Sequence, residues 1–275
     1  MPEVVVQTGY CKTALNRTSI PGYRYCLNPY SGCSHGCCYC YADTVLRFSG
    51  CTEKWGQFVS AKINFPEVLR REIVRRRASL GKVIVGTVTD AYQPAEGEYG
   101  LTRASLKVFV AERPEIELDL LTKSHLVVRD IDLLKQLKNS SVGFTLTTPD
   151  DAAASVLEPG AALPSERLQA AKKLVTENIS VWVFIAPILP GVTDAPGALE
   201  ELIATLRDIG VKEVYLDPLN PYPASLERLR AAYRLKLPWA LKYLERYLSD
   251  PRYYLKALTQ RLEFLSRRYG YNLKV

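Results

Sequence analysis

Four of the seven cysteines in this chain fall within eight residues, in the segment NPYSGCSHGCCYCYAD, and no other feature limits the possible folds as strongly. An odd number of cysteines cannot all pair internally, and thiols crowded into one loop are ligands or catalysts of a reducing compartment rather than a disulfide framework. Cys33, Cys37 and Cys40 stand in a Cys-x3-Cys-x2-Cys arrangement that follows a strand. Three thiolates in one short loop can converge on one soft metal centre. Zinc would want a fourth ligand at a matched spacing, and His125 stands alone downstream. Iron-sulfur chemistry is preferred, because thiolates are the ligands of such clusters and three of them leave one iron open. Gly32 and Gly36 suit a backbone that wraps closely around a cluster, and His35 is placed to donate a hydrogen bond to cluster sulfur. Buried thiols without a metal are the bland alternative, but those are usually scattered.

A chain of 275 residues with 47% hydrophobic and 24% charged residues can bury a sizeable core without staples, and its length is near that of an α/β barrel. β-Branched runs predict strands over 25–28, 82–88, 116–122, 142–147, 181–187 and 213–217. Helical patterns lie between them over 102–112, 129–137, 165–178 and 196–209. Runs such as VIVGTV and VWVFIAPI are almost continuously apolar, as strands covered on both faces should be. The expected architecture is therefore a partial (β/α)6 TIM-type barrel, built from residues 1–223 with an N-terminal extension.

Beyond residue 217 the sequence changes character. LNPYPASLERL is a turn-rich exit, followed by helices expected over 224–236, 238–249 and 251–269. Leu255, Leu258, Leu262 and Leu265 form one apolar stripe at helical spacing. Residues 224–275 are read as a helical appendage packed on the barrel. From Glu227 onward there are 12 Lys/Arg against 4 Asp/Glu, a net of +8, so the rest of this +7 chain is close to neutral. Trp239 and the tyrosines at 233, 243, 247, 253, 254, 269 and 271 are interleaved with those cations. The combination suits phosphate contact with base stacking, although lysine and arginine on a helix are also simply its solvated side. Arg70, Arg71, Arg75, Arg76 and Arg77 add a second basic helix.

The chain resembles the radical SAM superfamily, whose motif is this three-cysteine spacing with an aromatic residue, here Tyr39, before the last cysteine. The likeness extends to the spore photoproduct lyase-like branch through GTVTDAYQPAE, LLTKSHLVVRDIDLL, GFTLTTPD, LEPGAALPSERLQAAKKL and VFIAPILPGVTD. It implies a 4Fe-4S cluster on Cys33, Cys37 and Cys40, with S-adenosylmethionine (SAM) on the open iron. It also implies reductive cleavage of SAM to a 5'-deoxyadenosyl radical that abstracts hydrogen from substrate, fed by a reductant such as flavodoxin or ferredoxin. Lys123 and Thr145 match residues that contact the methionine end of SAM. Thr89 and Asp90 match a Ser-Asp pair of the pattern, and Tyr39 and Tyr41 match its two tyrosines beside the last cluster cysteine.

One departure bears on the substrate. The lyase pattern has a hydrogen-donating cysteine where this chain has Thr87, and a threonine O–H bond is too strong to replace a thiol in returning a hydrogen atom. Repair of spore photoproduct is therefore not expected. Cys11, Cys26, Cys38 and Cys51 remain, at spacings that form no recognised ligand motif. They are read as buried or bystander thiols, with a second cluster, or one catalytic thiol at Cys26 or Cys51, as the alternatives. Cys38 is expected to point away from the cluster. Tyr41 and Cys26 are the candidate catalytic residues, and nucleic acid is the favoured substrate. Modification of a peptide or a small anionic metabolite, and a non-enzymatic iron-sulfur module that binds nucleic acid, are the other readings. No apolar run approaches the roughly 18 residues of a membrane span, and MPEVVVQTGY lacks a secretory pattern, so a cytoplasmic protein without a membrane partner is expected.

Overall fold

The computed structural model describes residues 3–48, 51–76 and 80–274; Arg77 lies outside them. The chain enters through β1 (Val5–Gly9) and the short β2 (Asn16–Arg17), then forms β3 (Tyr25–Leu27). β4 (Tyr30–Gly32) leads into the cysteine loop, α1 (Ala42–Phe48) leaves it, and β5 (Phe58–Lys62) and α2 (Phe65–Arg75) carry the chain to the next crossover. The main sheet continues with β6 (Val83–Val85), β7 (Glu117–Thr122), β8 (Asn139–Thr145), β9 (Ser180–Ile188) and β10 (Glu213–Pro218). Between them run α3 (Ala95–Tyr99), α4 (Leu101–Glu112), a 3-10 turn at His125–Asp130, α5 (Ile131–Leu134), α6 (Asp151–Leu157), α7 (Pro164–Thr176) and α8 (Ala198–Ile209).

Strands β3, β6, β7, β8, β9 and β10 are parallel and lie side by side in that order, with β2 antiparallel on the β3 edge. Sequential order without reversal is the winding of a partial (β/α)6 barrel; a doubly wound sheet would contain a switch point. The two-residue period of a strand sorts its side chains. Leu118 and Leu120 of β7, with Val83 and Val85 of β6, join Leu106, Phe109, Leu202 and Leu206 in one core between sheet and helices. Asp119, Leu121 and their equivalents on neighbouring strands therefore face the interior.

Some expectations shift in detail. β6 stops at Val85 rather than running to residue 88, because Gly86 takes φ +91 and a side chain there would meet the Leu121 carbonyl oxygen at 2.5 Å. That close approach turns residues 86–90 across the end of the sheet, where they become part of the site. Of the helix expected over 129–137 only the four residues of α5 are α-helical; the 3-10 turn takes its start and a turn its end. A three-stranded sheet in the order β1, β5, β4 was not anticipated, since its short strands lack a long apolar run.

The tail forms α9 (Pro223–Lys236), α10 (Pro238–Ser249) and α11 (Pro251–Tyr269). Leu258, Leu262 and Leu265 of α11 are buried in the core that holds α8, with Leu255 half-buried. Leu229 and Tyr233 of α9 and Leu244 and Tyr247 of α10 share a second apolar cluster with Cys37, Cys38 and Tyr39. The last helices thus pack against the back of the cysteine loop. No helix among the described residues is long and apolar enough to cross a membrane.

Candidate active site

The carboxyl ends of the parallel strands surround a cavity holding about 980 Å3 of atom-free space, mouth included. Cys33, Cys37 and Cys40 line one wall; Thr87, Thr89, Asp90, Lys123 and Thr145 contribute from the ends of β6, β7 and β8. Phe184 and Ala186 of β9 and Asp217 of β10 complete the circuit, with Tyr41 and Tyr222 among the lining residues.

The cysteine loop has almost no regular structure of its own and is held by remote segments. Cys38 N–H donates to the Leu157 carbonyl at 2.9 Å, Gly160 N–H to the His35 carbonyl at 3.0 Å, and the Trp55 indole to the Cys37 carbonyl at 3.0 Å. Ser34 N–H donates to Gln93 Oε1 at 2.9 Å. Beneath the loop, fully buried Glu158 accepts hydrogen bonds from Tyr39, Thr147 and Arg167. Burial alone would raise the Glu158 pKa, but Arg167 and Lys123 hold it below the usual carboxylate range. The buried ion pair therefore fixes the Tyr39 hydroxyl and supports the loop from below.

Burial pushes the Cys33 thiol up to about 12 and raises Cys37 and Cys40 as well. Opposing this are N–H groups that favour the thiolate, from His35 and Asp90 at Cys33 and from Ala42 at Cys40, and the Lys123 cation beside Cys37 and Cys40. Three desolvated sulfurs on one wall, each approached by donors or a cation, fit a soft metal cluster that displaces their protons. Among the described residues no three His, Cys, Asp or Glu side chains meet at a single-ion site. His35 Nδ1 is buried and 3.4 Å from Asp90 Oδ2, short of hydrogen-bond geometry, with no other partner among the described residues.

The residues singled out as cofactor contacts divide into two kinds. Asp90 accepts from Tyr92 N–H, the Thr122 hydroxyl and Lys123 N–H at 2.7–2.8 Å. Against its burial, nearby His35 and these donors hold its carboxyl well below the usual range. The Thr89 hydroxyl donates to the Gly32 carbonyl and accepts from Gln93. These two, with Tyr39, use their polar atoms to brace the loop. Lys123 and Thr145 instead present theirs to the cavity: the Thr145 hydroxyl has no partner among the described residues, and Lys123 Nζ lies 5.8 Å from the Tyr39 ring centre. Desolvation works against the Lys123 cation, but Cys37 and Glu158 outweigh it and raise its pKa.

Of the catalytic candidates, Tyr41 lines the cavity, donates to the Thr87 carbonyl at 2.9 Å and sits 6.1 Å from the Tyr222 ring. Cys26 is half-buried on β3, 3.9 Å from Asn28 Nδ2, and is not among the lining residues. Thr87 lines the cavity and is held by Asn28. Cys38 turns away into the apolar cluster of α9 and α10. Sequence reasoning missed the Glu158–Arg167 pair, Asp217 and Arg228, because each acquires its place only through contacts distant in the chain; Glu158 and Arg167 do lie inside the LEPGAALPSERL stretch.

The radical SAM superfamily profile matches residues 27–203, more than half of the chain. The chain belongs to the radical SAM superfamily. Among curated relatives of this radical SAM enzyme, the uncharacterized protein MJ0683 of Methanocaldococcus jannaschii is 36% identical over 183 residues, covering 66% of this chain and 67% of that one. The protein Rv2578c of Mycobacterium tuberculosis is 33% identical over 214 residues, covering 74% of this chain and 62% of its own length. Spore photoproduct lyase complexed with dinucleoside spore photoproduct superposes with a TM-score of 0.62 at 17% identity, over 84% of this chain and 67% of the lyase. Streptococcus suis SuiB bound to S-adenosylmethionine gives 0.52 at 13% identity, over 91% and 49% of the two chains. At these identities the two structures share the fold with this chain.

Proposed function

We propose that Cys33, Cys37 and Cys40 hold a 4Fe-4S cluster, that Lys123 and Thr145 bind the methionine end of SAM, and that the substrate is a nucleic acid. The observation that carries the reading is the cavity itself, in which two buried thiols and the half-buried Cys40 share a lining with the half-buried Lys123 cation and a Thr145 hydroxyl that has no partner among the described residues. When bound, such a cluster supplies one electron to the sulfonium of SAM, giving methionine and a 5'-deoxyadenosyl radical that takes a hydrogen atom from substrate. Lys123 offers a carboxylate a cation at the cavity wall. Phe184, Ala186 and Leu121 give the cavity apolar walls that exclude water from a reactive species. Asp90, Thr89 and Glu158 brace the loop rather than take part in bond changes. A flavodoxin- or ferredoxin-like carrier in the cytoplasm would deliver the electron.

A second cleft supports the choice of substrate. Tyr243, Arg246 and Tyr253 line it between α10, α11 and the loop after β9. Tyr243 and Tyr253 are exposed, with Lys242 and Arg246 stacked on their rings at 5.0 and 5.1 Å. Exposed rings carrying cations that have no carboxylate partner among the described residues can stack bases and contact phosphates. Thr87 argues for a reaction other than that of spore photoproduct lyase.

The deciding experiment is anaerobic reconstitution, reduction with SAM, and measurement of 5'-deoxyadenosine and iron per chain. Deoxyadenosine with about four irons is expected of one such cluster, with turnover stimulated by single-stranded oligonucleotides. About eight irons would promote the remaining cysteines to a second cluster. Failure of SAM to bind would remove the proposed chemistry, and stimulation by peptides or small anions alone would replace the substrate.

A further inference from the structure

Arg228 connects the C-terminal helices to the cysteine loop. Its Nε donates to the Cys38 carbonyl at 3.3 Å, its Nη2 to the Cys40 carbonyl at 3.1 Å, and its Nη1 to Asp43 Oδ2 at 2.6 Å. The next residue, Leu229, and Tyr233 one turn on are buried against Cys37, Cys38 and Tyr39. α9 is thereby anchored on the outer side of the loop, and Arg228 reaches the backbone on either side of Tyr39. No other side chain among the described residues spans both of these carbonyls.

We propose that Arg228 is a positioning residue for the cysteine loop, a guanidinium clamp that turns the Cys38 and Cys40 carbonyls outward and keeps the local charge near Cys40 balanced. The proposal rests on the reading of the three thiols as cluster ligands. Two physical points support it. A loop that wraps an anionic cluster must turn N–H groups toward its sulfurs, and Ala42 N–H does so at Cys40; the carbonyls then need donors on the other side, which a planar five-donor fork supplies in one group. Asp43, buried at the start of α1, has Arg228 and Arg47 as its cationic neighbours, and Arg47 is half exposed. Removing Arg228 therefore leaves a poorly compensated carboxylate next to Cys40. Added negative charge there opposes further negative charge, and so opposes reduction of a cluster.

The test compares Arg228→Met, which loses charge and fork, with Arg228→Lys, which keeps only the charge, and with Arg230→Met as control. Arg230 is on the same helix but pairs with partly exposed Glu245. In metal-free protein, alkylation of Cys38 and Cys40 mapped by mass spectrometry, with each rate taken per thiolate from its pH dependence, should accelerate about tenfold or more in Arg228→Met, less in Arg228→Lys, and not in the control. After anaerobic reconstitution, Arg228→Met should hold less iron, and the clusters it retains should have a more negative midpoint potential. Adding Asp43→Asn should move that potential back, whereas Arg228→Lys should lose iron with little change in potential. Alkylation rates equal to wild type in both Arg228 variants would overturn the clamp, as would an equal acceleration in Arg230→Met. A wild-type protein that takes up no iron would overturn the cluster reading instead, with alkylation still deciding the role of Arg228.

Discussion

The two ends of the parallel sheet are made from the same strands with the same alternation, yet they treat their inward residues differently. At the amino end those side chains satisfy one another. Asp119 accepts from the Tyr23 and Ser141 hydroxyls and pairs with Lys82 at 2.8 Å, and the Trp182 ring lies over Gly143, edge-on to Tyr215. The exception is the Trp182 indole N–H, which has no partner among the described residues. At the carboxyl end, two residues further along the same strands, Leu121, Thr145, Phe184 and Asp217 face open space. Protein interiors ordinarily fill to crystal-like density, so an end left open, with polar groups that have no partner among the described residues, is one where stability has been given up for binding. The amino end should answer to mutation in folding energy, the carboxyl end in ligand binding.

The sharpest break of that comparison would come from Cys37. Cys37→Ala should abolish the visible absorbance and iron of reconstituted protein while leaving urea unfolding of the metal-free protein little changed; retained iron would detach the thiol from the cluster. At the opposite end, Trp182→Ala should cost roughly 3–5 kcal/mol in unfolding free energy, the usual range for emptying a large aromatic site, with iron per folded chain unaltered. A loss of iron in parallel with that destabilisation would show the two ends to be one unit. Lys123→Ala should weaken SAM binding by about ten- to a hundredfold, as expected for losing a charge-assisted contact of about 1.5–3 kcal/mol, without changing the cluster. An unchanged SAM titration would make that lysine a structural cation.

The smallest effect concerns pH at the amino end. Burial, followed by the hydrogen bond and charge of Asp119, raises the Tyr23 pKa well above its ordinary value of 10.0. The unfolded chain therefore releases this proton first as pH rises, and the stabilisation is present below pH 10 and lost above it. Tyr23→Phe should lower by about one the number of protons released on unfolding above pH 10. Metal-free and reconstituted protein should show the same change if the amino end is independent of the site.

The tail sharpens the contrast between what could be read early and what could not. Its helices were legible from apolar spacing, and the Leu258, Leu262 and Leu265 stripe is buried as the period requires. Its charge was equally legible. That Tyr233 and Tyr247 are buried while Tyr243 and Tyr253 are exposed follows from which helix faces meet the barrel, and spacing within one helix does not fix that. Arg228 looked like one more surface cation of a basic tail, and only the contact between α9 and a loop some 190 residues earlier gives it its partners.

What the sequence determined by itself was local and periodic: three thiols at ligand spacing, apolar strands alternating with amphipathic helices, and Lys123 and Thr145 at strand ends. These follow from chain geometry over a few residues, where spacing and side-chain direction are coupled. Tertiary structure decided how each polar atom is used. Asp90, Thr89 and Tyr39 stand in the expected places, but their oxygens are taken by partners 2 to 119 residues away, which leaves Lys123 and Thr145 to face the cavity. A buried hydrogen-bonding group takes whatever partner the packed chain brings within about 3 Å, and that partner is set by the whole fold rather than by its neighbours in sequence.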